Sequence, residues 1–321
     1  MATISIIIPA FNEASNIGAL LISLFKVLQP IRHEFEVIII NDGSTDNTAA
    51  IVAELALSYG NLYLIDFSRN FGQQKALRAG YDHAKGDAVI CIDADLQNPP
   101  ELIADMIEKW ENGYEVVLCK RRKGKQQAGY FKEITSRLFY KTLNLMAEGN
   151  IDADTPDFRL IDRKLVEIIK YLPEKDVFLR GLISWMGFNK IVLEYDHGKR
   201  LNGKTGYSPI KMLRLALTGI TGFSAKPLHF AIYMGLGISI LSLFYIPYIL
   251  VRYFSGETIS GWSSLIITIT FMGGLQLFIL GILGLYLGKL FMHAKNRPDY
   301  IIRENTYKPA LINQLSIKKG A

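Results

Sequence analysis

The sequence predicts an α/β protein in which a doubly wound, mainly parallel sheet is followed by an amphipathic helix and two transmembrane helices. Two observations lead to this prediction. In the first half of the 321 residues, short runs of apolar and β-branched residues alternate with stretches of helical spacing, and after position 227 two long stretches contain no charged residue. Continuous apolar runs are typical of parallel strands covered by helices on both faces, and their alternation with helices indicates consecutive βαβ units.

The first half of the chain supplies the strands and helices of this sheet. Buried strands are expected at Thr3–Ile8, Glu36–Ile40, Leu62–Phe67 and Ala88–Ile92. Helices are expected between them at Asn16–Leu28, Asp46–Ser58 and Gln73–Lys85. Doubly wound sheets bind ligands at the carboxyl ends of their strands, so the residues that follow each strand are the first candidates for a functional site.

The cysteines and the N-terminus indicate a cytosolic domain. Cys91 and Cys119 lie within apolar runs, and two buried thiols without a disulfide framework favour a reducing compartment. Met1–Pro9 contains no basic residue and only a short apolar run, so it is interpreted as a strand rather than a secretory signal.

Two later stretches have the composition of transmembrane helices. Leu228–Val251 and Thr258–Gly288 contain no Asp, Glu, Lys or Arg. At the helical rise per residue the first would be about 36 Å long, more than the roughly 30 Å of a hydrocarbon core. The alternative is a pair of buried helices in a large soluble core, which two charge-free stretches of this length disfavour.

Basic residues flank the two spans on one side of the membrane. They are Lys211, Arg214 and Lys226 before the pair and Lys289, Lys295 and Arg297 after it. Because cytoplasmic flanks carry an excess of such residues, both chain ends are expected in the cytoplasm, at an inner or plasma membrane. We therefore expect an α/β domain at 1–207, an amphipathic surface helix at 208–226, two spans at 227–290 and a basic cytoplasmic tail at 291–321.

The net charge of +6 and the pI of 9.1 restrict the class of partner. A basic chain can bind nucleic acid, an anionic membrane surface or a phosphorylated substrate. The cations cluster beside the membrane segments, and the sequence contains no recognition helix or aromatic platform. We therefore expect a membrane and a phosphorylated substrate as partners, and no nucleic acid.

The most specific chemical signal is a pair of carboxylates, Asp93 and Asp95, directly after the fourth strand. Carboxylate oxygens are preferred ligands of Mg²⁺ and Mn²⁺, which commonly bind substrate phosphates as well. The alternative is that the pair only caps the helix predicted to begin near Pro99. Three further polar segments follow the other strands, namely Pro9–Glu13, Asn41–Asp46 and Ser68–Gly72. Each alone is a turn with a helix cap, but together with the aspartates they would surround one crevice.

Four segments carry a resemblance to a known family: IIIPAFNE, VIIINDGSTDNT, the region SRNFGQQKALRAGYDHAKGDAVICIDADLQNPPELI, and DFRLIDRKLV. In these the chain resembles the inverting family 2 glycosyltransferases of GT-A-like fold. More narrowly, it resembles polyprenyl-phosphate glycosyltransferases related to dolichol-phosphate mannose synthases and bactoprenol glucosyltransferases. The resemblance implies transfer of one sugar, most commonly from UDP-glucose, to undecaprenyl or another polyprenyl phosphate with inversion of configuration.

The resemblance also implies roles for particular residues. Those expected in the nucleotide pocket are Pro9, Glu13 and Asp42, with Asp42 accepting from the base edge. Those expected at the Mg²⁺ or Mn²⁺ ion and the diphosphate are Asp93, Asp95 and Gln97. Those expected at the acceptor are Asp157, either a base or an orienting group, and the phosphate-binding residues Arg159, Arg200, Lys204 and Arg137. Asp95 and Asp157 are the expected catalytic residues.

The acceptor chemistry explains the need for cations. A phosphate monoester is already an anionic nucleophile at neutral pH, so it needs little deprotonation. Its repulsion from the donor diphosphate must be offset by a metal ion and by basic side chains. Arg122 and Arg180 are further candidates, although each could equally be a solvated surface charge.

Two other functions remain open at this point. A processive polysaccharide synthase of the same superfamily usually has more spans and a Gln-x-x-Arg-Trp motif, which Leu179–Trp185 does not match. A non-catalytic membrane scaffold that binds a carrier lipid would not need the Asp pair or Asp157. Gly284–Gly288 has the small-xxx-small spacing of packed membrane helices, from which a homo-oligomer is expected.

Overall fold

The computed structural model describes residues 1–122, 157–173, 179–195, 226–255 and 261–307, which form two compact units. The first, here called the sheet unit, contains described residues 1–122, 157–173, 179–195 and 298–307. The second, here called the helical unit, contains described residues 226–255 and 261–297. The predicted surface helix at 208–226 lies outside the described residues except for its last residue, Lys226.

The described strands of the sheet unit form one eight-stranded sheet. They are β1 Thr3–Ala10, β2 Glu34–Asn41, β3 Leu62–Phe67, β4 Ala88–Cys91, β5 Val116–Arg121, β6 Arg159–Asp162, β7 Lys190–Tyr195 and β8 Ile302–Asn305. Its described helices are α1 Ile17–Leu28, α2 Thr48–Ser58, α3 Gln73–His83, α4 Leu102–Glu111, α5 Arg163–Tyr171 and α6 Leu179–Trp185. The first four strands and first three helices therefore confirm the elements predicted from apolar runs and helical spacing.

The strand order is β7-β5-β6-β4-β1-β2-β3-β8. β1 pairs in parallel with both β2 and β4, and β2 pairs in parallel with β3. The chain thus moves outward from β1 to β3 and then returns to place β4 on the other side of β1. This reversal is a topological switch point, and the crevice beyond the carboxyl ends of β1 and β4 is the expected ligand site. β6 and β8 run antiparallel to their neighbours, so the sheet is mixed.

The core is formed by the continuously apolar strands. Every residue of β1 after Thr3 is buried, as are the last six residues of β2. The α3 helix packs closely on β1, since a Cβ atom added at Gly80 would lie 2.9 Å from the side chain of Ile7. Cys91 and Cys119 are free thiols buried in this core, as predicted, and burial raises the pKa of each to about 12.

The last strand comes from a segment for which the sequence pattern predicts no strand. Residues Ile302–Asn305 form β8, which pairs antiparallel with β3 at the edge of the sheet. The pairing contains a bulge: Asp66 and Phe67 are consecutive, but they face Glu304 and Ile302. Part of the predicted basic tail is therefore built into the sheet unit.

The helical unit contains two long helices in contact, α7 Lys226–Phe254 and α8 Trp262–Ala294. They have 29 and 33 residues. Within the part of the chain that the structure describes, one segment is long and apolar enough to cross a membrane, Phe271–Ala294 in α8, and none of its most apolar part is buried. A second span remains a prediction.

Candidate active site

The loops that follow β1 and β2 are hydrogen-bonded to each other beside the switch point. The backbone N–H of Asn12 donates to Ser44 Oγ at 2.9 Å, and Asn12 Oδ1 accepts from the Thr45 N–H at 2.8 Å. Asp46 accepts from the hydroxyl and the N–H of Thr48 and from the Ala14 N–H at 3.1 Å. Burial acts to raise the pKa of Asp46, but these hydrogen bonds outweigh it and lower the pKa. Asn12 has φ of 58°, a left-handed conformation that asparagine tolerates better than most residues.

Asp42 joins the loop after β2 to the loop after β3, here called the β2 loop, Asp42–Asn47, and the β3 loop, Ser68–Gly72. Its two carboxylate oxygens accept from the backbone N–H groups of Phe71 at 2.6 Å and Gly72 at 2.9 Å. Burial raises the pKa of Asp42, whereas these two bonds act in the opposite direction. Gly43 has φ of 64°, and a Cβ there would lie 2.3 Å from the carbonyl carbon of Arg69. Only glycine therefore permits this close approach of the two loops.

The other two residues expected in the nucleotide pocket lie at the end of β1 and just beyond it. Pro9 is buried within β1, opposite Ile40. Glu13 accepts from the Asn16 side chain at 2.6 Å, and its carbonyl oxygen accepts from the N–H groups of Asn16 and Ile17. Glu13 thus fixes the start of α1 at the edge of the crevice.

The predicted carboxylate pair follows β4 in a strained turn. Asp95 Oδ1 accepts from the Gln97 N–H at 3.1 Å, and between them Leu96 has φ of 58°. A left-handed conformation is costly for a bulky side chain, and such strain tends to occur at functional sites. Asp93 accepts from the side chains of Gln73 at 3.0 Å and Asn98 at 3.3 Å. Asn98 in turn accepts from the Tyr195 hydroxyl at 2.7 Å, which fixes the orientation of the amide.

Asp93 lies in a region of negative charge. Part of the residue is exposed to solvent, but protein atoms densely surround its carboxylate. This burial, followed by the charges of Asp157 and Asp95, raises the pKa of Asp93 to about 6, and Arg180 only partly offsets them. A cation between the aspartates would remove this repulsion.

Asp157, which is 1% exposed, is the best neutralised carboxylate of the site. Arg180 donates to it through Nε at 2.9 Å and through a terminal nitrogen at 2.8 Å, and Arg159 donates at 2.5 Å. Burial alone would raise the pKa of Asp157, but the hydrogen bonds and charges of the two guanidinium groups outweigh burial and lower it. Asp157 is therefore ionised at neutral pH, with both oxygens occupied by donors.

Gln73, the first residue of α3, connects the two carboxylates. Its side-chain amide donates to Asp93 at 3.0 Å and lies 3.4 Å from Asp157. It follows Gly72, whose N–H binds Asp42, so one hydrogen-bonded path runs from Asp42 through the start of α3 to Asp93 and Asp157. The structure thus brings residues from the ends of β2 and β4 and the start of β6 into one site.

Two residues of this network, Gln73 and Asn98, were missed in the sequence analysis. The third, Arg180, was named there only as a further candidate. Gln73 and Asn98 lie within the quoted motif segments, which was the available signal for them. Arg180 lies in an apolar helix, α6, with no local sign of its partner 23 residues earlier. Arg137, Arg200 and Lys204, expected at the acceptor phosphate, lie outside the described residues.

Asp93 and Asp95 are the residues of this site that could contribute carboxylate ligands to Mg²⁺ or Mn²⁺. Among the described residues no group of three His, Cys, Asp or Glu side chains could hold a metal ion. A cation here would therefore bind these two carboxylates and take its remaining ligands from water and substrate phosphates, as Mg²⁺ commonly does. The raised pKa of Asp93 fits such an ion, because Arg180 does not fully offset burial and the charges of Asp157 and Asp95.

A doubly wound sheet with a carboxylate pair at its switch point is an architecture that binds nucleotides and other phosphorylated ligands. The model of the family described as "Glycosyl transferase family 2" matches residues 5–169. The chain belongs to this family, and it is an enzyme of the glycosyltransferase class.

Three comparisons extend over more of the chain than the family model. The chain is 44% identical over 304 residues to the uncharacterized glycosyltransferase YkcC of Bacillus subtilis, covering 94% of this chain and 93% of that protein. It is 41% identical over 305 residues to the SfII prophage-derived bactoprenol glucosyl transferase of Shigella flexneri, covering 94% and 98%. A looser structural similarity, with a TM-score of 0.48 and 18% identity, relates 68% of this chain to 78% of glucosyl-3-phosphoglycerate synthase from Mycobacterium tuberculosis.

Proposed function

We propose that this protein transfers a single sugar from a nucleotide sugar, UDP-glucose in the first instance, to undecaprenyl or another polyprenyl phosphate, with inversion at the anomeric carbon. One observation of the site carries the proposal. Of two neighbouring carboxylates, Asp93 has acidic neighbours that Arg180 only partly offsets, whereas Asp157 is paired with two arginines. The full-length similarity to a bactoprenol glucosyl transferase supports the sugar and the acceptor.

On the donor side, Asp93 and Asp95 would hold Mg²⁺ or Mn²⁺, and Gln97 lies beside them. When bound, the ion stabilises the charge that develops on the leaving nucleoside diphosphate. The β2 and β3 loops, joined through Asp42, would form the nucleotide pocket with Pro9 and Glu13. Because Phe71 and Gly72 already donate to both oxygens of Asp42, a base would bind beside these bonds and not in place of them.

On the acceptor side, we assign Asp157 an orienting role. A carboxylate with a lowered pKa is a weak general base, and a phosphate monoester needs little deprotonation. Asp157 instead holds the guanidinium groups of Arg159 and Arg180 in place. Arg159 is 3% exposed, whereas 30% of the Arg180 side chain is exposed. Arg180 is therefore the more accessible of the two for the acceptor phosphate, together with the proposed contacts from Arg137, Arg200 and Lys204.

The membrane anchor follows from the acceptor, since a polyprenyl phosphate cannot leave the bilayer. We propose two spans, within α7 and α8, with the sheet unit and both chain ends in the cytoplasm, and association into a homo-oligomer. Thiol labelling of intact cells tests the topology, because Cys91 and Cys119 are buried and give little background. Ser255→Cys, between the helices, should react with a membrane-impermeant maleimide, and Lys295→Cys should react only after lysis. The reverse pattern would contradict the topology.

The reaction is tested with membrane-bound enzyme, undecaprenyl phosphate, Mg²⁺ or Mn²⁺ and a panel of labelled UDP- and GDP-sugars. Label should enter the organic phase with one donor and be lost on chelation, and mass spectrometry should show one hexose per lipid. An α-linked donor should give a β-linked product. Several sugars per lipid would favour a processive synthase. No lipid label with any donor, from folded and inserted protein, would contradict the proposal and favour an untested donor or a different acceptor, and next the scaffold.

A further inference from the structure

The chain returns to the sheet unit directly after the helix that is apolar enough to cross a membrane. Here Pro298–Tyr307 is called the strap; it begins four residues after the end of α8 at Ala294 and contains β8. Within the sheet unit, the strap pairs with the end of β3, the strand that leads into the β3 loop. It reaches Asn41 at the end of β2 through Asp66. Its contacts connect it to the proposed donor site by two paths.

The first path runs through the backbone of the β3 loop. The Ser68 N–H donates to the carbonyl oxygen of Ile301 at 2.9 Å, and the Ser68 carbonyl accepts from Arg303 at 2.8 Å. Both backbone polar groups of the first loop residue are thus bonded to the strap. Arg303 lies at the β-bulge of the β3–β8 pairing, and bulges commonly redirect a side chain near an active site.

Aromatic rings reinforce this path. The ring of Tyr300 stacks on Phe67, with centroids 5.0 Å apart and planes 14° apart. Phe67 in turn meets the ring of Phe71 edge to face at 5.7 Å. Phe71 donates its N–H to Asp42, so the stack extends from the strap to the residue that joins the two loops. The Tyr300 hydroxyl donates to Asp82 of α3 at 2.9 Å, which also fixes the strap to the helix that begins with Gln73.

The second path runs through side chains to the β2 loop. Arg303 lies 3.5 Å from Asp66, a carboxylate that is 7% exposed. Asp66 accepts from the Asn41 side chain at 2.6 Å, and Asn41 Oδ1 accepts from the Ser44 hydroxyl at 2.5 Å. Because 60% of the Arg303 side chain is exposed, solvent weakens its ion pair, and the backbone and ring contacts contribute more.

We propose that the strap is a positioning element of the donor site: through Tyr300 and Arg303 it fixes the two loops that Asp42 joins, and so supports nucleotide binding. The identity of the ligand rests on the function proposed above, but the fixing of the loops does not. Neither Tyr300 nor Arg303 touches the reacting groups; both act through the β3 loop.

The strap offers a matched control at its other end. Tyr307 donates its hydroxyl to Glu36, a buried carboxylate that also accepts from Ser5 and from the Lys85 N–H. Glu36 lies near the start of β2, at the opposite end of the strand from Asp42. Tyr307→Phe therefore removes one strap hydrogen bond without altering either path to the loops.

The test uses the full-length protein in detergent with UDP and Mg²⁺. Tyr300→Ala and Arg303→Ala should each weaken UDP binding in calorimetry by about fivefold to tenfold, Tyr300→Ala more strongly, as expected for loss of about one good contact. Both should speed hydrogen exchange in the peptide that contains Phe71 and Gly72 and should raise KM for the donor more than they lower kcat. Tyr300→Phe, which keeps the stacked ring, should restore most of the affinity.

A purely structural role predicts a different pattern. The alanine variants and Tyr307→Phe would then all lower the unfolding temperature, with UDP affinity within twofold of the wild type and loop exchange unchanged, and this result would overturn the proposal. If Tyr300→Ala does not fold, the UDP affinity and loop exchange of Arg303→Ala and Tyr300→Phe still distinguish a positioning role from a purely structural one. If the wild type does not bind UDP, the donor assignment fails, while the exchange of the loop peptide still tests the strap.

Discussion

Asp93 and Asp157 lie at the same edge of the sheet and share Gln73 as a neighbour, yet they differ in their supply of positive charge. Asp157 is fully buried, with two guanidinium groups against it and a lowered pKa. Asp93 has two neutral amide donors, two acidic neighbours and a pKa raised to about 6. Burial opposes the charged form of both, so the arginines account for the difference.

In the function proposed above, this contrast divides the site into a cation-binding side and an orienting side. Arg159 and Arg180 supply the positive charge beside Asp157, which suits a carboxylate that only orients other side chains. The charge on Asp93 is left for a ligand to neutralise, which suits a group that binds a cation together with a phosphorylated donor. Substitutions on the two sides should therefore fail in different ways.

The largest effect is expected on the cation side. Asp93→Asn and Asp95→Ala should each lower the rate of label transfer to lipid by at least about a hundredfold, since each would remove a proposed ligand of the ion that stabilises the leaving group. Folding and membrane insertion should be unchanged, as checked by the yield and elution volume of the purified protein. Activity near the wild-type rate in either variant would contradict this role.

The arginine pair should separate stability from activity. Arg159→Met leaves Asp157 without its most buried partner and should lower the free energy of unfolding by about 3 kcal/mol, as breaking a buried ion pair does. Arg180→Met, at a partly exposed position, should lower it by roughly 1 kcal/mol and should raise KM for the lipid acceptor more strongly. Urea unfolding in detergent, followed by labelling of Cys91 and Cys119, measures the first effect. Equal losses of stability in Arg159→Met and Arg180→Met, or an unaltered acceptor KM in Arg180→Met, would contradict the different roles expected for the two arginines.

The two carboxylates should also respond to pH with opposite signs. With a chelator present, the folded form of Asp93 releases its proton near pH 6 and the unfolded form near pH 4, so stability should fall by roughly 2 kcal/mol as pH rises from 4 to 6. Folded Asp157 stays ionised throughout this window, and its unfolded form begins to bind a proton only near pH 4. The stability that its lowered pKa provides is therefore lost as pH falls below about 4.

Thermal unfolding followed by tryptophan fluorescence, in chelator, measures this slope. Asp93→Asn should reduce it most. Asp157→Asn should change the acid limb and should also reduce the slope to a smaller extent, because the charge of Asp157 helps to raise the pKa of Asp93. If Asp93→Asn left the slope between pH 4 and 6 unaltered, the slope would have to arise from another titrating group.

The smallest effect is expected at the bridge between the two sides. Gln73→Ala removes one exposed amide donor and should lower kcat by about fivefold to tenfold. Gln73→Glu keeps the size but adds a third negative charge, so its loss should exceed that of alanine. A glutamate variant as active as the wild type would show that Gln73 does not bridge the carboxylates during turnover.

The sequence predicted the half of the sheet whose signals are local. The run Leu62–Phe67 coincides with β3, and the predicted start of α3 at Gln73 is correct. Asp42, Asp93 and Asp95 could be placed at one edge because parallel strands end at the same side of a sheet.

The remainder depends on contacts between distant parts of the chain. Nothing near Arg180 indicates that it binds Asp157, and the polar run Ile302–Asn305 becomes a strand only by pairing with β3, more than 230 residues earlier. The separation of Asp93 and Asp157 into two electrostatic classes was likewise beyond prediction, because it depends on which carboxylate the arginines reach.

The measurement that tests this contrast most directly is the binding of Mn²⁺, followed by electron paramagnetic resonance with UDP present, to the wild type, Asp93→Asn and Asp157→Asn. If the cation belongs to the Asp93 side, Asp157→Asn should bind Mn²⁺ within a few-fold of the wild type, and Asp93→Asn should lose most of its binding. Retained binding in Asp93→Asn, with binding lost in Asp157→Asn, would contradict the assignment of the two carboxylates.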